Sequence, residues 1–286
     1  MKNSKLGFLS CFTAALMWGF AFICVDNAID GGWMTFPLLS VRFMIGFIIM
    51  FFVSFKRRWW KDKTIIKLGI QNGILFFLGF MFQTLGQQLS SVPNAAFLTS
   101  LNLILVPIFL HYIFKRNIEN KVYIASLLAL IGAGFLSLDA NMRLHIGDIY
   151  LIICAVFFAF HIIHNERCGK EDNTLSVITI QLLTMSILSF IMMFVSKQTY
   201  IPENNWIDVL YLGVFSSAAA GFLQLFGAKH LDASIASLIL CQESVIATFF
   251  SIILLNEPVT VKLIIGGSLM IIGCIIVTFK RKSNSN

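Results

Sequence analysis

Charge is scarce in this chain. Asp, Glu, Lys and Arg make up 12% of its 286 residues, where a soluble domain carries about 25%. That shortage excludes an ordinary water-exposed surface. Acids are scarcer than bases, 14 against 21, for a net charge of +7. The excess does not point to nucleic acid, because the cations sit in short stretches between apolar runs. Phosphate-gripping loops are missing too. No G-x-x-x-x-G-K-[ST] stretch occurs, so ATP hydrolysis by this chain alone is not expected. Neither a G-x-S-x-G elbow nor an H-E-x-x-H pair is present, which removes two common hydrolase sites. Cysteines are few: Cys11, Cys24, Cys154, Cys168, Cys241 and Cys274. Most fall inside apolar runs, where they read as small packing residues and not as a disulfide framework.

What is present is apolar surface. Hydrophobic residues make up 58% of the chain, with 29 Phe and a mean hydropathy of +0.85. A helix of about 20 such residues crosses a bilayer, whereas lone strands would leave backbone groups unpaired in lipid. Ten runs have the length: 6–26, 35–55, 68–89, 94–114, 121–138, 147–164, 174–196, 207–228, 234–254 and 260–279. The expected fold is an all-α integral membrane protein of ten transmembrane helices. Loop marks separate the runs, including Asp30-Gly31-Gly32, Lys115-Arg116-Asn117 and Pro202-Glu203-Asn204-Asn205. The first run follows Lys2 and Lys5 without a small-x-small cleavage site, so it reads as retained.

Cations set the orientation. With the N-terminus in the cytoplasm, 17 of the 21 Lys and Arg fall in inside segments and three, Arg143, Lys197 and Lys262, outside. Arg42 lies within a run. The asymmetry predicts both termini on the cytoplasmic side.

The run Ala233–Leu255 organises the rest. It holds one formal charge, Glu243, near its middle. A carboxylate at that depth costs roughly 2.5–3.5 kcal/mol on insertion scales, so it faces a cavity or a partner. The same run has a twin 141 positions earlier, Asn94–Phe114, with Asn102 at the place of Glu243. The offset continues through Gln83/Gln224, Gly86/Gly227, Ala95/Ala236 and Gly132/Gly273. For the first and sixth runs it is 140, pairing Trp18 with Phe158 and Phe20 with Phe160. The chain therefore divides into two five-helix repeats, 1–140 and 141–286. Five crossings is an odd number, so the second repeat inserts upside down. Inverted repeats build transporters that rock about a midplane site.

Here the chain resembles the drug/metabolite transporter superfamily, and within it the ten-helix EamA-type exporters. Trp18-Gly19-Phe20-Ala21-Phe22 is similar to the family's Trp-Gly-x-x-Phe. Arg42 stands where the family often has an arginine early in its second helix. Asn94-Ala95-Ala96-Phe97-Leu98 and Pro107 resemble the opening and the proline of its fourth. Glu243 resembles the Glu of its Glu-Pro in the ninth, with Ser244 in place of proline, and Asn256-Glu257 resembles its Gly-Glu. The resemblance implies secondary transport, efflux above uptake, of amino acids or related amphiphilic metabolites. It implies no enzymatic activity.

Eleven residues are candidates for lining a substrate site. Glu243 could contact a substrate cation, carry a coupling proton, or tie two helices together. Arg42 could bind an anion, pair with Glu243 or Asp26, or snorkel to the outer headgroups. Trp18 and Phe22 share one helix face, and Phe158 and His161 occupy the matching helix, so the four could form an aromatic wall. Gln83, Gln224, Gln181, Thr99 and Asn102 could line the cavity or act as interhelical hydrogen-bond glue, worth roughly 1 kcal/mol. The run His161–Cys168 contains metal-ligand types but no standard zinc spacing. No cofactor is expected beyond a coupling proton. The expected partners are a small-molecule substrate and the bilayer, with no nucleic acid, in a monomer or homodimer of a bacterial inner membrane. Uptake by the same fold, an intramembrane lipid-modifying enzyme and a membrane scaffold are the other readings. The enzyme would need acid, base or metal groups clustered at one membrane face, whereas the polar residues here are spread singly through mid-depth.

Overall fold

The computed structural model of the protein describes residues 3–57, 61–90, 92–137, 145–169, 173–254 and 259–278. Arg143, Asn256-Glu257 and the basic tail Lys280–Asn286 lie outside the described residues. Helix accounts for 85% of the protein, with no strand among the described residues. The helices are α1 (Ser4–Asp30), α2 (Thr35–Ser54), α3 (Lys63–Gln87), α4 (Val92–Thr99), α5 (Asn102–Tyr112), α6 (Asn120–Ser137) and α7 (Ile146–Cys168). They continue as α8 (Thr174–Val195), α9 (Trp206–Tyr211), a π-helical stretch Leu212–Ala219, α10 (Ala220–Ala228), α11 (Ala233–Leu240), α12 (Gln242–Leu254) and α13 (Val261–Thr278). Eight helical runs are long and apolar enough to cross a membrane, and Asn120–Phe135 and Val261–Val277 are shorter apolar helices. Together they make the ten-helix membrane protein expected.

Polar caps set the ends of several helices. The Asn3 side chain accepts from the Leu6 N–H at 3.3 Å to start α1. Asp62 accepts from Thr64 and Ile65 N–H at 2.9 and 3.2 Å to start α3, satisfying donors that a first turn leaves open. Asp148 in the first turn of α7 accepts from the His145 N–H at 2.8 Å and from Asn94 Nδ2 at 2.6 Å.

The fourth and ninth runs are not single helices, contrary to the expectation of continuous spans. The chain turns at Ser100–Leu101 between α4 and α5, and at Cys241 between α11 and α12. Ser100 and Cys241 are repeat mates, 141 positions apart. Ser100 Oγ donates to the Phe97 carbonyl at 2.6 Å and Cys241 Sγ to the Leu238 carbonyl at 3.1 Å. A side chain that bonds a carbonyl of the preceding turn competes with the helix ladder and bends it. The two acceptors are repeat mates as well. The breaks place Asn102 and Glu243 in the first turns of α5 and α12.

The packing pattern survives exchange of the halves. α6 packs on α13, α2 on α8, α3 on α7, and α1 on α10 and α12. At the α6–α13 contact, a Cβ on Gly132 would meet the Gly266 carbonyl at 2.5 Å. A Cβ on Gly273 would meet the Ala125 carbonyl at 2.7 Å. The two contacts correspond at the 141-residue offset, Gly273 to Gly132 and Gly266 to Ala125. In lipid, apolar surface gives no preference for helix over solvent, so helices associate where small residues admit close backbone approach.

Candidate functional site

A cavity lies among the helices of both halves. Its walls come from α1, α2, α3, α5, α7, the π stretch, α10, α11 and α12. Nine of the eleven candidate residues line it: Trp18, Phe22, Arg42, Gln83, Asn102, Phe158, His161, Gln224 and Glu243.

Arg42 sits on one wall, 1% exposed. Its Nη2 donates to Ser216 Oγ at 2.8 Å and its Nε to Ser217 Oγ at 3.2 Å. The guanidinium carbon lies 4.6 Å from the Phe80 ring centroid, a cation–π contact strengthened by burial. Two expectations are corrected here. The side chain does not snorkel to the headgroups, because the serines of the π stretch hold it inward. Nor does any described acid pair with it; Glu243 and Asp26 make no ion pair to it among the described residues. A guanidinium has five N–H donors, so the two serines leave donors for a ligand.

Glu243 and Asn102 belong to the repeat-mate helices α12 and α5. Glu243 is buried, and among the described residues no hydrogen bond or ion pair reaches its carboxylate. Asn102 Oδ1 is buried without a hydrogen-bond partner. Buried polar groups are ordinarily satisfied, so two acceptors left open on one cavity suit a ligand with N–H donors.

Aromatic rings line the same cavity. His161 stacks on Phe76 at 3.8 Å between centroids and 6° between planes. Phe76 meets Phe80 at 4.6 Å, Phe158 at 5.6 Å and Trp18 at 6.0 Å. Trp18 Nε1 donates to the Ser216 carbonyl at 2.9 Å. Neither ring nitrogen of His161 has a hydrogen-bond partner.

Thr99 and Gln181 do not line the cavity. Thr99 ends α4 ahead of the break and is fully buried against α7, beside Cys154. Gln181 is drawn into a network on α8. Asn72 Nδ2 donates to Gln181 Oε1 at 2.5 Å and to Asn165 Oδ1 at 2.7 Å. His164 Nδ1 lies 3.0 Å from Asn72 Oδ1. Among the described residues no group of His, Cys, Asp and Glu could hold a metal.

Sequence reasoning missed Phe76, Phe80, Gln87 and Ser216, which also line the cavity. The first three had a signal. With Gln83 they recur at helical spacing along one face of α3. Ser216 had none, because the π stretch that turns it inward has no pattern of its own. Such stretches are frequent at functional sites.

Trp18→Ala tests the aromatic wall. Because Trp18 borders empty space, its truncation should leave the folded yield near wild type. Ligand binding should weaken by about tenfold, near 1.4 kcal/mol. Loss of folding, with suppressors that restore binding, would make Trp18 a packing residue.

Comparison with known proteins agrees with this architecture. The EamA-like transporter family matches residues 5–138 and again 145–279. An uncharacterized transporter of Archaeoglobus fulgidus is 31% identical over 268 residues, 93% of this chain and 83% of its own. The uncharacterized transporter YoaV of Bacillus subtilis is 23% identical, with 98% of each chain covered. A protein of known crystal structure superposes with a TM-score of 0.81 at 18% identity, covering 97% of each chain, which bears on the fold alone. The chain belongs to the EamA-like transporter family of the drug/metabolite transporter superfamily.

Proposed function

We propose that this transporter exports a small zwitterionic metabolite, an amino acid or a related amphiphile, across a bacterial cytoplasmic membrane by alternating access. One observation carries the reading. Arg42, Glu243 and Asn102 line one cavity together with aromatic rings, and Asn102 Oδ1 there has no hydrogen-bond partner. A ligand with a carboxylate, an ammonium and an apolar body matches the guanidinium, the acceptors and the rings. The two halves, related as inverted repeats, would rock about this site. A proton on Glu243 is the proposed coupling ion.

Polar contacts tie three elements together at one end. Arg116 Nη1 donates to both Glu166 oxygens at 2.9 and 2.8 Å, and Glu166 Oε2 accepts from the Ala233 N–H at 3.3 Å. These contacts join the α5–α6 loop, α7 and α11 at the end that the cation count assigns to the cytoplasm. Arg116 is exposed while Glu166 is largely buried, and parting this pair is the proposed step that opens this end in a transport cycle.

The reading is tested by a thermal-shift panel of amino acids on purified protein, then by flux in proteoliposomes. A zwitterion that stabilises the protein and is carried across supports it. No stabilisation by any member, and no flux, would remove the zwitterion reading. Orientation has its own test. Single cysteines at Lys61 and Lys282 should label from the cytoplasmic side and one at Asn204 from outside. Cytoplasmic labelling at Asn204 would break the inverted arrangement.

A further inference from the structure

One wall of the cavity rests on a missing side chain. α3 has glycine at position 79, and the Phe158 ring of α7 occupies the space above it. A Cβ built on Gly79 would overlap Cε1 and Cδ1 of Phe158 and come within 3.3 Å of Cζ. The ring is therefore seated on the α3 backbone. Its other neighbours, Phe76 and Phe80, stand 5.6 and 5.4 Å away between centroids. Both line the same cavity as Phe158. Well-packed interiors transmit the displacement of even one methyl group. A carbon added at 79 lifts Phe158 off α3, and the open space it meets is the cavity.

The two halves differ at this point. Repeat offsets set Ala220 where Gly79 stands, and Trp18 where Phe158 stands. Trp18 is held by its bond to the Ser216 carbonyl. Phe158 is a hydrocarbon ring with no such tether, so the α3 backbone is what fixes its depth.

We propose that Gly79 is a positioning residue that sets the depth of the aromatic wall, and with it the largest apolar group the cavity admits. With glycine the site takes zwitterions with large aromatic bodies, and with alanine it is restricted to small ones. The ligand class rests on the proposed function; the position of the wall does not.

The test separates the two. Asn102→Cys places a thiol on the cavity wall, and its modification is read by mass spectrometry at that residue. Methyl methanethiosulfonate should label it at rates within about twofold in Gly79 and Gly79→Ala backgrounds. Benzyl methanethiosulfonate should label it at least about tenfold more slowly after Gly79→Ala. The rate should recover when Phe158→Leu is added. Pressing a carbon against Phe158 costs about 1–3 kcal/mol, partly offset by alanine's helix preference over glycine of about 1 kcal/mol, so the variant is expected to fold. Equal benzyl rates in the two backgrounds, or no recovery with Phe158→Leu, overturn the proposal. In proteoliposomes Gly79→Ala should raise KM for L-tryptophan at least about tenfold and leave that for L-alanine within about twofold. An equal rise for both probes would mean general damage and would also overturn it. If wild type carries neither amino acid, the zwitterion reading fails and the labelling ratio still decides the role of Gly79.

Discussion

Glu243→Gln is expected to slow proteoliposome flux at least about tenfold, equivalent to about 1.4 kcal/mol in affinity or barrier. The substitution keeps side-chain volume and hydrogen-bonding reach but cannot ionise. Folding should be unaffected or improved, since a charged group at mid-depth costs free energy on insertion. Nothing among the described residues pairs with the carboxylate, so no partner is orphaned by the change. The titratable and charged side chains on the cavity are Arg42, His161 and Glu243. If Glu243 carries the coupling proton, the remaining flux should be flat across about pH 5.5–8.5, while wild-type flux changes within that window. A mutant whose pH profile matches wild type would move that role to His161. Equal flux would leave Glu243 as a structural residue.

Asn72→Leu should destabilise the protein more than any single change on the cavity. Asn72 serves Asn165, Gln181 and His164 together at the junction of α3, α7 and α8. Leucine has similar size and leaves the buried Asn165 and Gln181 oxygens without the Asn72 donor. An orphaned buried group costs about 1–3 kcal/mol, while hydrogen bonds within membranes average nearer 0.6 kcal/mol. A net loss of about 2–4 kcal/mol is expected, measured by thermal or detergent-driven unfolding. Adding Gln181→Leu should cost less than its effect alone, because its partner is already gone. Additive losses would show that the network is not a unit.

How much of this was legible beforehand depended on which physical constraint was at work. The bilayer dictates long apolar helices, so the ten runs could be drawn within a few residues. Depth was legible too, because the repeat matches Asn102 to Glu243 and Trp18 to Phe158. Azimuth was not. A helix that is apolar on every face gives no sign of which side meets the cavity, which is why Thr99 and Gln181 were placed there and face elsewhere. Phe76, Phe80 and Ser216 were missed for the complementary reason: their repeat mates are Ser217, Gly221 and Leu75, so the repeat does not mark them. The helix breaks were hidden because the bonds of Ser100 and Cys241 to the preceding turn are local events that no periodicity records. The serines that hold Arg42 depend on the π stretch in the same way.

The account stands on two opposite poles in one cavity, and one measurement addresses them directly. Competition against wild-type flux of L-phenylalanine should be compared for L-phenylalanine methyl ester, which lacks the anion, and N-acetyl-L-phenylalanine, which lacks the cation. Both should compete at least about tenfold more weakly than the parent, since a buried charge left unpaired is costly. In Glu243→Gln the penalty for N-acetylation should shrink while the penalty for the ester remains. In Arg42→Gln the pattern should reverse. Equal competition by all three compounds in wild type, or the same loss in both variants, would contradict a site with Arg42 and Glu243 as its poles.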